Sequence, residues 1–209
     1  SGGERLPRHD LDELYGITLS AGIDAGTVIL SGATSEDLVP TEIYRRLASD
    51  LRAVGSRVLV DLSGERLDQS LAGGVTVVKV ADDELTDYDR AASSRAPDLI
   101  TAMHSLVEEG AEHVIVTRAE ESALMLTEGR VSEVLMPSLE VMDHHGAGDS
   151  LTAGVAAALA DGATFTEGVT LGSAAGALNV TRHGLGSGNR DTVHTLRRLV
   201  EVRPYEERS

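Results

Sequence analysis

The 209 residues predict a single α/β domain: a mostly parallel sheet with helices on both faces, interrupted by an antiparallel hairpin near residues 122–136. Three observations carry this. Strand-like apolar runs alternate with helix-period segments from residue 27 to residue 117, joined by short Gly-marked links. Two apolar runs then flank Glu128-Gly129, a hairpin signal. Beyond them, residues 148–160 and 166–180 are rich in Ala and other small residues, which suits two closely packed helices.

Each element follows from a local pattern. Leu11, Leu14, Tyr15 and Leu19 mark a short amphipathic helix with Asp10 as its candidate N-cap. TVILSG (27–32) is a strand stopped by a Ser-Gly turn. In residues 40–54, Pro40 and Thr41 open a helix that carries Ile43, Leu47 and Leu51 four apart. RVLVDLSG (57–64) is the second strand; a helix around Arg66–Leu71 leads to VTVVKV (75–80), the third. Residues 97–109 form a helix with Leu99, Met103, Leu106 and Val107 on one side and Gly110 as its stop, before HVIVT (113–117), the fourth strand. A last helix near 191–200 and a charged tail close the chain.

Composition excludes several classes. Subtracting 34 acidic from 18 basic residues leaves a net charge of −16, a field that repels nucleic acid and anionic lipid. The absence of Cys removes disulfides, thiolate catalysis and zinc-thiolate sites. No apolar run reaches the ~18 residues a membrane span needs, so a cytoplasmic location without a membrane partner is the simplest expectation. With one Phe, four Tyr and no Trp, the core is left to aliphatic side chains.

The chemistry concentrates in DHHGAGDSLTAG (143–154), which supports two readings. Gly148-Asp-Ser150-Leu matches the nucleophile block of a serine esterase, and Asp191-Thr-Val-His194 supplies a late Asp-x-x-His pair. Position opposes this: 149 residues precede Ser150, whereas such enzymes place the Ser after the first strand. In the other reading, Gly146-Ala147-Gly148 begins a helix whose free N–H groups hold an anion, while Asp149 in the first turn takes a proton from an attacking hydroxyl. A plain structural alternative stays open, with the glycines shaping a turn and Asp149 facing the helix dipole.

The order of segments adds a resemblance. Asp-x-x-Gly-Ala-Gly-Asp before a small-residue helix, with VILSG, RVLVDLSG, VVKVADDEL, HVIVTRAEESALML and ALNVTRHGLGSG, resembles the PfkB, or ribokinase-like, carbohydrate kinases over about residues 5–200. The wording is closest to the 1-phosphofructokinase and hexose kinase branch. The resemblance implies a Rossmann-like sheet and an enzyme transferring phosphoryl from ATP, with Mg²⁺, to a sugar or sugar phosphate such as fructose 1-phosphate. It assigns Asp149 as base and Gly146, Ala147 and Gly148 as the anion hole. Lys79, Glu84, Thr117, Ala119, Ser122, Ala177, Asn179 and Gly184 fall to the nucleotide and phosphate side, with Glu84 also toward the metal.

The chain departs from the family pattern at several of these positions. Ala81 replaces an Asn, Ala119 and Ser122 replace two glycines, His144 stands where Ser, Thr, Pro or Val is usual, and Ser31-Gly-Ala-Thr lacks the following Pro-Gly. The family's N-terminal acceptor and lid region has no counterpart in the 209 residues. The chain therefore reads as the C-terminal, nucleotide- and base-bearing portion, and the open sheet edge predicts instability, a homodimer or a companion segment. The same departures admit a second reading, a non-catalytic nucleotide- or sugar-phosphate-binding regulatory remnant.

Overall fold

The computed structural model describes residues 6–32, 38–118, 121–136, 146–181 and 188–207. Its seven strands form one sheet in chain order: β1 (Thr27–Ser31), β2 (Arg57–Asp61), β3 (Val75–Ala81), β4 (Ala111–Thr117), β5 (Ala123–Thr127), β6 (Arg130–Leu135) and β7 (Glu201–Pro204). The first four run parallel, and the last three pairings are antiparallel. The helices are α1 (Arg8–Ala25), α2 (Glu42–Ala53), α3 (Gly64–Gly73), α4 (Asp82–Asp87), α5 (Ala96–Glu109), α6 (Ala147–Ala160), α7 (Phe165–Val180) and α8 (Arg190–Arg197).

Alternation along the strands sorts the side chains into two cores. Val58, Val60, Val78, Val80, Val114 and Val116 pack with α2, α3 and α5. Leu59, Val77, Ile115, Met125 and Val134 meet α6 and α7 on the other face. Leu99, Met103 and Leu106 of α5 are fully buried, each stabilising the fold by about 1.5–3 kcal/mol relative to an exposed side chain.

The hairpin is as the sequence predicts. Glu128 and Gly129 both have positive φ, 50° and 73°, and Thr127 pairs with Arg130, as in a two-residue turn matched to strand twist. Three details differ from expectation. Helix α1 begins at Arg8 after Pro7, so Asp10 lies within its first turn, where a carboxylate suits the helix dipole, and is not the N-cap. Residues 82–87 form a helix too short to show a period. The charged tail contributes β7, which pairs antiparallel with β6 and packs Val202 against the second core.

Candidate active site

The site forms where β2 and β3 end beneath the start of α6, the region outside strand carboxyl ends where open parallel sheets bind ligands. Asp61 ends β2 and is the register partner of Lys79 on β3. Lys79 Nζ donates to Asp61 Oδ1 at 2.9 Å, and the Thr152 hydroxyl of α6 lies 3.0 Å from Asp61 Oδ2. Both charged side chains are largely enclosed, at 11% and 14% exposure.

Above this pair, Gly146 adopts the left-handed conformation, φ 76°, that lets the chain turn into α6. The helix makes its first ladder bond from Ser150 N–H to Gly146 C=O at 3.0 Å, so the amides of Ala147, Gly148 and Asp149 precede the ladder. Gly148 fits because it has no side chain: a Cβ there would lie 2.9 Å from Lys79 Nζ. Three helix-start amides and an ammonium thus share one small region, an arrangement that attracts an anion. Asp149 projects from the same turn and is exposed.

Beside this region a cleft of about 470 Å³ includes Gly32, Asp61, Ser63, Arg66, Glu84 and Tyr88 in its lining. Glu84 is held by the Ala81 N–H, which donates to Oε2 at 2.8 Å and caps α4. Thr117 ends β4 as the register partner of Ala81. Ser122 is tied to Arg118: buried Arg118 donates to the Ser122 carbonyl at 2.7 Å and its hydroxyl at 2.9 Å, and the hydroxyl reaches Glu133 at 3.1 Å.

Ala177 and Asn179 are buried in the C-terminal half of α7. That half adjoins the site because α6 and α7 approach backbone to backbone. A Cβ on Gly176 would stand 2.8 Å from the Ala147 carbonyl, and one on Gly172 would stand 2.4 Å from that of Leu151. Ala119, His144, His145 and Gly184 lie outside the described residues. Among the described residues, no group of three or more His or carboxylate side chains is placed to hold a metal ion, and no helix is long and apolar enough to cross a membrane.

The esterase constellation is not assembled. Ser150 follows β6 rather than β1, His194 is exposed on α8, and no hydrogen bond joins them.

Residues 23–192 match the model of the pfkB family carbohydrate kinases. The chain belongs to the PfkB family. Among its PfkB relatives, the ATP-dependent 6-phosphofructokinase isozyme 2 of Mycobacterium tuberculosis is 30% identical over 191 residues, covering 91% of this chain and 55% of that protein. The 1-phosphofructokinase of Bacillus subtilis is 30% identical over 160 residues, 77% of this chain and 52% of its own length. The crystal structure of phosphofructokinase-2 from Escherichia coli in complex with potassium superposes with a TM-score of 0.83 at 26% identity, covering 95% of this chain and 64% of that one. The chain thus spans about half the length of these two sequence relatives, which are named as phosphofructokinases.

Two residues central to the candidate site were not singled out from sequence. Asp61 and Thr152 are 91 positions apart, and only the packing of α6 over β2 brings them together. The one available signal was the acidic residue closing an apolar strand in RVLVDLSG.

Proposed function

We propose that this chain is the donor-binding and base-bearing portion of an ATP- and Mg²⁺-dependent kinase acting on a hydroxyl of a sugar phosphate, fructose 1-phosphate or a related hexose phosphate. The observation that carries this reading is the packing of Lys79 against Gly148 at the start of α6. Because Gly148 has no Cβ, the ammonium approaches the helix start directly, so the ammonium and the helix-start amides can act together on one phosphoryl group. Glu84, which lines the adjacent cleft, would supply a carboxylate for the Mg²⁺ that accompanies the donor phosphates.

In this mechanism Asp149, exposed in the first turn of α6, accepts the proton of the acceptor hydroxyl as it attacks the terminal phosphorus of ATP. The amides of Ala147, Gly148 and Asp149 and the Lys79 ammonium stabilise the charge carried by the phosphoryl oxygens. ADP is the leaving group. Thr117, Ser122, Ala177 and Asn179, with Ala119 and Gly184, are assigned to the nucleotide side.

The test is release of ADP from MgATP with fructose 1-phosphate and fructose 6-phosphate as acceptors. Asp149→Asn should lower kcat by roughly 10²–10⁴-fold, the usual contribution of a general base. Unchanged transfer in that variant would remove Asp149 from the mechanism. Nucleotide binding without turnover in the parent would instead favour the regulatory reading.

A further inference from the structure

Asp61 has no part in the reaction just described, yet the most enclosed polar contacts of the site converge on it. Three elements meet there: β2 supplies the carboxylate, and its two partners are Lys79 from β3 and Thr152 from α6. Thr152 is only 4% exposed. The Thr152 hydroxyl carries one proton and has two acceptors in range, Asp61 Oδ2 at 3.0 Å and the Gly148 carbonyl at 3.1 Å. That carbonyl already lies in line for the Thr152 backbone N–H in the helical ladder, and a bond to a carboxylate is the stronger one. The hydroxyl proton therefore belongs to Asp61. With both oxygens engaged, Asp61 is poorly placed to take a substrate proton, in contrast to exposed Asp149.

We propose that Asp61 is a positioning residue for phosphoryl transfer. One oxygen fixes the Lys79 ammonium beneath the first turn of α6, and the other fixes α6 over Lys79 through Thr152. Lysine is a point charge on a flexible four-carbon stem, so its value to a transition state depends on where it is held. A charge held in place before the reaction needs no reorganisation during it. The Gly148 backbone closes one side of the ammonium and Asp61 closes another, leaving Lys79 aimed along the helix start. This inference rests on the kinase reading above.

The experiment measures kcat and KM for MgATP, with fructose 1-phosphate and fructose 6-phosphate as acceptors, together with ADP affinity by calorimetry on the intact protein. Asp61→Asn keeps the shape and one acceptor but removes the charge and reverses the polarity facing Thr152. It should lower kcat at least tenfold while KM for ATP and affinity for ADP stay within threefold. Thr152→Val should lower kcat at least fivefold, and Thr152→Ser, which keeps the hydroxyl, should stay within twofold of the parent. An Asp61→Asn kcat within twofold of the parent, or a loss of kcat matched by an equal loss of ADP affinity, overturns the inference. Should Asp61→Asn fail to fold, the Thr152 pair decides, and equal kcat in the Val and Ser variants overturns it. Failure of the kinase reading looks different: the parent shows no turnover, or Asp149→Asn and Lys79→Met both turn over like the parent.

Discussion

Gly176 of α7 lies against the carbonyl of Ala147, the first residue of α6, so closely that a Cβ would sit 2.8 Å from the oxygen. This contact joins the helix bearing Ala177 and Asn179 to the first turn of α6, where the amides of Ala147, Gly148 and Asp149 precede the ladder. Gly176→Ala should destabilise the fold by about 1–3 kcal/mol, the usual cost of overpacking, and should also weaken ATP binding because the strain falls on the first turn of α6. Urea unfolding and calorimetry on the same variant check both effects. Unchanged stability would mean that the helices separate without cost.

The Asp61–Lys79 pair predicts a non-additive double-mutant cycle. Lys79→Met leaves a largely buried carboxylate without its counter-charge and should cost about 3–5 kcal/mol. Replacing both partners, Asp61→Leu with Lys79→Met, should cost less than the single change, because no unpaired charge is then left in the interior. Chemical denaturation measures each corner of the cycle, and simple additivity would show that the pair is not coupled.

Arg118 ties Ser122 to Glu133 of β6. Its guanidinium serves the Ser122 carbonyl, the Ser122 hydroxyl, Glu121 and Glu133, and the residue is buried. Arg118→Ala should lose about 2–3 kcal/mol, since hydrogen bonds to a charged group break in an enclosed place. Ser122→Gly, which restores the glycine of the family pattern, removes only the hydroxyl contacts and should lose about 1 kcal/mol. Thermal melts of the two variants should rank in that order.

His113 carries a pH dependence. Its ring stacks on Phe165 with centroids 4.3 Å apart and bonds the Thr127 hydroxyl at 3.0 Å. Burial lowers its pKa from the ordinary 6.5, outweighing the opposite pull of Glu112 and Glu128. A histidine whose folded pKa is depressed binds fewer protons folded than unfolded, so stability rises with pH across the gap. The contribution is complete above the unfolded value of about 6.5 and is lost as pH falls from there through the lowered folded value. Denaturation at pH 7.5 and pH 5.5 should show a smaller acid loss in His113→Phe than in the parent.

Much of the architecture was legible because it rests on local patterns. Valine-rich runs with alternating faces, the Glu128-Gly129 turn and the small-residue helices all report short-range physics. At the site the same held for Gly146, Gly148 and Asp149, whose spacing is itself the helix start. Strand β7 escaped because it is four residues long and charged Glu201 and Arg203 flank its one core-facing residue, Val202. Asp61 escaped for a related reason: its partners are a strand neighbour and a helix 91 residues away, and nothing in RVLVDLSG names either.

The division of the sheet into two cores has a consequence for how this protein can vary. A cavity opened at Val58 or Val78 relaxes among α2, α3 and α5, whereas one opened at Leu59 or Val77 relaxes on the side that carries Asp61, Lys79 and α6. Neighbours such as Val58 and Leu59, or Val77 and Val78, therefore report to different tenants, and the face of the sheet that a side chain occupies forecasts its phenotype. Selection for heat tolerance should collect changes on the scaffold side, and selection for altered turnover should collect them on the other, with the sheet as the wall between two workshops.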